Sequence, residues 1–275
     1  MKKICPLCFH HCTLDEGQTG FCGARANIGQ QIRCINYGEL TAIALDPIEK
    51  KPLKHFFPGS RILSVGSYGC NLHCSFCQNS GISQTFGRHP RTTKISPDAL
   101  IAEALALKPR GNIGIAYTYN EPLISYEYVY DCSRLAHEND LKNVLVTSGT
   151  VEEKPLLELL PWIDAMNIDL KGFTQTFYQK LYGDLETVKR TIALSAPRCH
   201  VEITTLVIPG ENDSAEEIAQ MAGWIASVNP EIPYHLTRFF PQFHMTDRDP
   251  TDVSSLFHLA EIARGYLSHV YTGNC

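Results

Sequence analysis

The chain has no long basic run, and its 24 lysines and arginines are outnumbered by 29 aspartates and glutamates, a formal charge of -5. General nucleic-acid binding through phosphate neutralisation therefore finds little support, and no nucleic-acid partner is expected. Long apolar runs are missing too: nothing approaches the ~18 consecutive apolar residues that suggest a membrane span. Met1, Lys2, Lys3 and Ile4 imitate the start of a secretory signal, but Cys5, Pro6, His10, His11 and Asp15 interrupt what would be its apolar segment. A cytoplasmic protein without membrane association is the expectation. Internal repeats and low-complexity stretches are also absent. With 44% hydrophobic, 19% charged and 9% aromatic residues, the 275-residue chain is not largely disordered, and it can form one large α/β domain or two ordinary ones.

What the chain does have is cysteine. Eleven is an odd number, and seven of them fall into two tight groups, the usage of a metalloprotein in a reducing compartment rather than of a disulfide framework. Cys70, Cys74 and Cys77 follow directly on an apolar run at 62–65. Their spacing lets one tight loop present three thiolates to three irons of a 4Fe-4S cubane, leaving the fourth iron open to a substrate or cofactor. A zinc site borrowing His73 is the alternative, disfavoured because zinc knuckles usually pair Cys-x2-Cys units. The Cys-x3-Cys-x-aromatic-Cys pattern, with Phe76 in the aromatic slot, resembles the signature of radical S-adenosylmethionine (SAM) enzymes. In such enzymes an electron from the reduced cluster breaks a carbon-sulfur bond of SAM, giving methionine and a 5'-deoxyadenosyl radical, so the cofactors carry the difficult step. The protein must hold the sulfonium, exclude water and aim the radical.

The second group, Cys5, Cys8, Cys12 and Cys22, is also a metal signal. Four thiolates suit a structural zinc or iron site, and three plus another group suit a second iron-sulfur cluster; spacing leaves both open. His10 and His11 read as surface residues beside that site. Cys34, Cys132 and Cys199 read as packed thiols, and Cys275 stays unassigned.

From residue 62 onward, short apolar runs alternate with helix-period segments, as parallel strands joined by crossover helices do. Strands are predicted at 62–65, 113–119, 144–146, 165–170, 201–208 and 234–239. Ser96, Pro97 and Asp98 mark one helix start, and Asp213 with Glu216 reads as a capping box before a core stripe of Ile218, Met221, Ile225 and Val228. Six strand-helix units predict a partial (β/α)6 barrel of the triose-isomerase kind over residues 61–275, with chemistry at the carboxyl ends of the strands; an open doubly wound sheet is the alternative. Residues 1–60 are read as a small cysteine-rich module with a strand pair near 31–44. Residues 78–93 form a polar, glycine-bearing loop long enough to cover an active site.

Polar residues punctuate the predicted strand ends. Asn120 and Glu121 precede Pro122 where radical SAM enzymes carry a Gly-Gly-Glu-like segment that grips the SAM amino group, although Tyr119 and Asn120 replace both glycines; a helix cap is the plainer role for Glu121. Strand alternation puts Asn167, Asp169 and Lys171 on one face. Such inward charges pair with each other or with a ligand bearing carboxylate and ammonium groups, and ligand binding is favoured. Glu202 and Thr204 repeat the pattern on the fifth strand, and Arg238 on the sixth. Thr147, Ser148 and Gly149 offer ribose contacts or a plain turn. No catalytic residue is assigned.

Beyond the cluster loop, the chain resembles the radical SAM enzymes of the AmmeMemoRadiSam system, a pyruvate formate-lyase-activating-enzyme-like group. The resemblance rests on the first cysteine group with Glu16, Gly17, Gly20 and Cys22, on the stretches at 46–53 and 55–59, on the cluster loop running into Gln78 and Asn79, and on 117–122, 167–172 and 238–241. It implies a partial barrel, a 4Fe-4S cluster on Cys70, Cys74 and Cys77, and SAM contacts at Asn120, Glu121, Asp169 and Lys171. Members of that group commonly extend into a tail with further cysteines, whereas this chain stops at Cys275. The expected function is hydrogen abstraction from a residue of a partner protein or from a small molecule, with an external one-electron reductant such as flavodoxin or ferredoxin. A glycyl-radical activase is the alternative enzyme, although the eight-cysteine ferredoxin-type insert of many activases is missing. A non-catalytic metal-binding or electron-transfer module is the alternative of another class, and it leaves Asp169 and Lys171 without a purpose.

Overall fold

Eight strands lie side by side in one sheet in the computed structural model, which describes residues 1–85 and 90–275. They are β1 (Ala42–Pro47), β2 (Arg61–Gly66), β3 (Asn112–Tyr117), β4 (Lys142–Thr147), β5 (Ala165–Asp169), β6 (His200–Val207), β7 (Tyr234–Arg238) and β8 (Val270–Gly273). Their spatial order is their chain order. The first runs antiparallel to the second, and the others are parallel. Crossover helices α1 (Pro97–Ala106), α2 (Tyr126–Glu138), α3 (Glu153–Leu159), α4 (Leu185–Ser195), α5 (Ala215–Val228) and α6 (Val253–Arg264) separate the parallel strands. Because the order never reverses, each crossover adds to the same edge, which puts the helices on one face and curls the sheet toward a barrel. A doubly wound sheet would reverse at a switch point, so that alternative falls. No pairing joins β1 to β8 among the described residues, and the barrel is partial.

The sequence explains the layers. Alternate strand residues such as Leu63, Val65, Ile115, Leu145, Met166, Ile168 and Ile203 pack outward against Leu100, Val129, Leu156, Val188, Ile218 and Leu256 of the helices. The α1 start is as predicted, with the Ser96 hydroxyl accepting from the N–H of Ala99 and Pro97 opening the first turn. At α5 the cap lies one residue later than predicted: Ser214 accepts from the N–H of Glu217, while Asp213 accepts from Gly210. The predicted stripe holds, with Ile218, Met221 and Ile225 fully buried.

The inner face is closed at the amino ends of the strands by the segment between β1 and β2. Ile48, Leu53 and Phe56 pack there against Ile62, Ala116, Val144 and Ala165. Fully burying side chains of this size contributes roughly 1.5–3 kcal/mol each. Glu202, fully buried, fastens this plug: its carboxylate accepts the N–H groups of Lys54 (2.9 Å) and His55 (2.8 Å) and bonds the rings of His200 (2.9 Å) and His235 (2.6 Å). It serves the floor of the barrel, not the carboxyl ends.

The predicted strand pair near 31–44 is corrected. Gln31–Cys34 pairs with Arg25–Ile28 in a small hairpin, whereas β1 joins the large sheet through β2. Within the predicted loop 78–93, Ser80–Ser83 form a helical turn and Thr93 begins a short strand. Residues 86–89 of that loop, and with them its predicted covering role, lie outside the described residues. Among the described residues, no helix is long and apolar enough to cross a membrane.

Candidate active site

The loop carrying Cys70, Cys74 and Cys77 leaves the carboxyl end of β2 without regular secondary structure, so its shape depends on bonds to other segments. The N–H of Cys70 donates to the Cys22 carbonyl (3.2 Å), that of His73 to Leu181 (3.0 Å), and that of Gly69 to Ile82 (2.8 Å). Gly69 has φ +86°, and a Cβ there would lie 2.3 Å from the Cys22 carbonyl oxygen, which leaves no room for a side chain. Asn120, in the turn after β3, grips the loop, accepting from the N–H of Ser67 (3.0 Å) and donating to the Gly69 carbonyl (3.0 Å). Leu72, Phe76, Phe177, Leu181, Ile208, Phe239 and Met245 form an apolar cluster that also takes in Cys74. Burial pushes the Cys70 thiol well up and the Cys74 thiol up to about 11, the latter despite the nearby Lys171 ammonium.

All three thiols border a cavity of about 560 Å³ at the carboxyl ends of the strands, lined also by Asn120, Glu121, Asp169, Lys171 and Thr204. A larger apolar cleft of about 780 Å³ beside Tyr37 and α1 holds none of these groups. On the far wall the Lys171 ammonium lies 2.7 Å from the Asp169 carboxylate. Burial works against that ammonium, but the charges of Asp169 and of a Cys74 thiolate outweigh it and raise its pKa. Thr204 donates to the Asn167 side chain (3.0 Å).

The structure refines several predicted roles. Glu121 reaches the cavity wall, yet its carboxylate is spent on the protein: one oxygen accepts from the N–H of Leu123 (3.0 Å) and the hydroxyl of Thr147 (2.8 Å), the other from the N–H (2.8 Å) and hydroxyl (2.6 Å) of Ser148. It caps a short helical turn, Pro122–Ser125, and ties it to the end of β4. Burial nevertheless raises its pKa. The Asn120 amide is spent likewise, on Ser67, Gly69 and the Glu121 carbonyl. Arg238 does not line the cavity; its Nε donates to the Thr251 carbonyl (2.7 Å) and its guanidinium lies over Phe240. Sequence reading missed Lys51 and Tyr119, which line the same space from the plug and from the turn after β3. No periodicity marks them.

The first cysteine group packs behind the cluster loop. The N–H of Cys5 donates to the Cys12 carbonyl (2.9 Å), the His10 ring bonds the Asn71 carbonyl (2.9 Å), and Phe21 stacks on His73 with centroids 4.0 Å apart. His10 is half-buried rather than a plain surface residue, and burial lowers its pKa. Burial, with smaller repulsion from neighbouring thiolates, pushes Cys8 up to about 12 and Cys22 up to about 11. Among the described residues, no three His, Cys, Asp or Glu side chains converge tightly enough for a single metal ion. A cubane does not need such convergence, because each thiolate meets a different iron.

Residues 64–222 match the family described as the radical SAM superfamily. An uncharacterized protein of Methanocaldococcus jannaschii is 38% identical over 99% of this chain and 81% of its own length. The pyruvate formate-lyase-activating enzyme of Clostridium pasteurianum is 25% identical over 65% of this chain and 76% of its own. Among solved structures, Streptococcus suis SuiB bound to S-adenosylmethionine superimposes with a TM-score of 0.59 at 15% identity, over 78% of this chain and 52% of that one, a likeness of fold.

Proposed function

The chain belongs to the radical SAM superfamily, and from that premise we propose that Cys70, Cys74 and Cys77 carry the 4Fe-4S cluster and that SAM occupies the adjoining cavity. One observation carries this reading: the three thiols and the Asp169–Lys171 pair border a single cavity. The donor set suits the group. Burial raises the pKa of the Cys70 and Cys74 thiols, and iron would compensate the thiolate charge by replacing their protons.

When bound, the cluster supplies the electron that cleaves SAM reductively and so starts hydrogen abstraction. The protein binds and orients. Asp169 and Lys171 offer a carboxylate and an ammonium to the amino and carboxylate groups of SAM, and Thr204 borders the same wall. Asn120 and Glu121 border the same cavity and hold the cluster loop and the end of β4 in register. Arg238 acts from behind, by fastening the segment at Thr251.

Within the superfamily we place the chain in the AmmeMemoRadiSam group, on the motifs at 46–53, 117–122 and 167–172. The substrate is a residue of a partner protein or a small molecule, and the electron comes from a flavodoxin- or ferredoxin-type donor. A glycyl-radical activase is the second reading, favoured by the similarity to the activating enzyme of Clostridium pasteurianum. The predicted amino-terminal module is proposed to hold its own metal, zinc or a second cluster, on Cys5, Cys8, Cys12 and Cys22; its predicted end at residue 60 moves back to the start of β1 at Ala42, because β1 and the plug belong to the barrel of the catalytic unit. All eleven cysteines are free, which suits the cytosol.

Anaerobic iron and sulfide analysis with a SAM-cleavage assay tests the central claim. Wild-type protein should contain labile sulfide and release 5'-deoxyadenosine under strong reductant. A variant with serine at 70, 74 and 77 that still cleaves SAM would overturn it. A persistent glycyl doublet in the electron paramagnetic resonance spectrum of a partner would decide for the activase.

A further inference from the structure

Lys51 belongs to the 46–53 stretch, which the proposed chemistry leaves unused, and its side chain is 3% exposed. It lines the same cavity as the three loop cysteines. Its ammonium donates to Asp46 (2.9 Å) and lies 4.8 Å from the centre of the Tyr119 ring. Asp46 also accepts from the Tyr119 hydroxyl (2.8 Å) and from Lys50 (3.2 Å), so three donors share its carboxylate. Tyr119 has φ +70°, the left-handed region, which costs a non-glycine residue about 1–2 kcal/mol. Gly66 makes the room, because a Cβ there would lie 2.9 Å from the Tyr119 side chain. Backbone strain is thus held in place to seat a phenol and an ammonium together at a cavity wall.

An ammonium has three N–H donors, and one hydrogen bond is formed here among the described residues. Burial without full pairing is costly, and burial duly lowers the Lys51 pKa. A carboxylate from a bound molecule would supply both missing acceptors and a compensating charge. Glu49, at the rim, turns one oxygen to the N–H of Gly59 (2.7 Å), and Asp169 is engaged with Lys171, so neither fills this role.

We propose that Lys51 is the substrate-anchoring cation of this cavity and binds a carboxylate of the substrate, with Asp46 and Tyr119 fixing its position. This rests on the cavity being the radical site. The carboxylate can belong to an acidic side chain of a protein or to a small acid.

Calorimetric titration of anaerobically reconstituted, SAM-loaded protein tests it with three probes: an acetylated, amidated glycine-glutamate-glycine peptide, its glutamine counterpart, and glutarate. At least one acid should bind, and the glutamine peptide at least about tenfold more weakly. Lys51→Met should weaken acid binding at least about tenfold, while Lys51→Arg largely restores it. Asp46→Asn combined with Lys51→Met removes both charges and guards against misfolding caused by a stranded carboxylate. Preference for the peptide points to a protein source, and preference for glutarate to a small acid. Equal binding of acid and amide, equal binding by wild type and Lys51→Met, or no acid binding up to about 10 mM would overturn the proposal. Labile sulfide and SAM binding are measured on the same samples. Their absence would sink the radical SAM reading, whereas their presence without acid binding sinks the Lys51 assignment alone.

Discussion

The main-chain N–H of Cys70 donates to the carbonyl oxygen of Cys22 across 3.2 Å, so one backbone hydrogen bond joins the two cysteine groups. The first cysteine group is thereby a wall of the cluster loop as well as a candidate metal site. Any distortion at Cys22 is passed to the first thiol of the loop.

Gly69 is where this contact is tightest. Gly69→Ala meets both a positive φ and a Cβ 2.3 Å from the Cys22 oxygen. The expected result is a loss of stability of roughly 2 kcal/mol or more and a lower iron content after reconstitution. Thermal unfolding together with iron analysis checks this; unchanged values in both would show that the loop adapts freely.

Lys171→Met leaves Asp169 without its ammonium and, on the proposed binding mode, removes the partner of the SAM carboxylate. SAM affinity should fall about 10- to 100-fold. Labile sulfide should stay at the wild-type level, since the three thiols remain. Equilibrium binding of SAM to reconstituted protein measures the first, and sulfide analysis the second.

Glu202 gives a pH signature for the barrel floor. Burial alone would favour its neutral form, but the His200 and His235 rings and the N–H groups of Lys54 and His55 outweigh this and pull its pKa down to about 2. A depressed carboxylate stabilises the fold fully above its unfolded value, about 4.3. That contribution, on the order of 3 kcal/mol, is lost as pH falls from there toward the folded value. Wild type should therefore exceed Glu202→Gln in chemical-denaturation stability near pH 7, with the gap closing progressively below about pH 4.3. A gap that stays constant with pH would show that the loss comes from packing rather than charge.

Replacing Cys8 and Cys12 by serine should lower total zinc plus iron per chain while SAM-dependent changes in the electron paramagnetic resonance spectrum of the loop cluster persist. Elemental analysis of both proteins identifies the metal. Equal metal content would exclude the first cysteine group as a site.

Much of the architecture was legible because buried parallel strands are short apolar runs, as at 144–146. The strand β8 was missed because one buried and three half-buried edge residues carry little pattern, and β1 because its partner is a matter of long-range pairing. At the site, alternation alone placed Asp169 and Lys171 on one face. It could not say that the Glu121 carboxylate would be taken up by Ser148 and Thr147, or that Arg238 would turn to Thr251.

By itself the sequence determined the three-thiol loop, its place after a strand, and the winding that gathers strand ends at one mouth, because spacing and periodicity are local properties of the chain. Only the tertiary structure decided which polar groups are saturated and which face the cavity. Lys51, Asp46 and Tyr119 come together from two remote segments, since β1 lies two strands from β3 and the plug folds beneath both. Hydrogen-bond capacity left over after folding depends on every neighbour at once, and no local pattern records it.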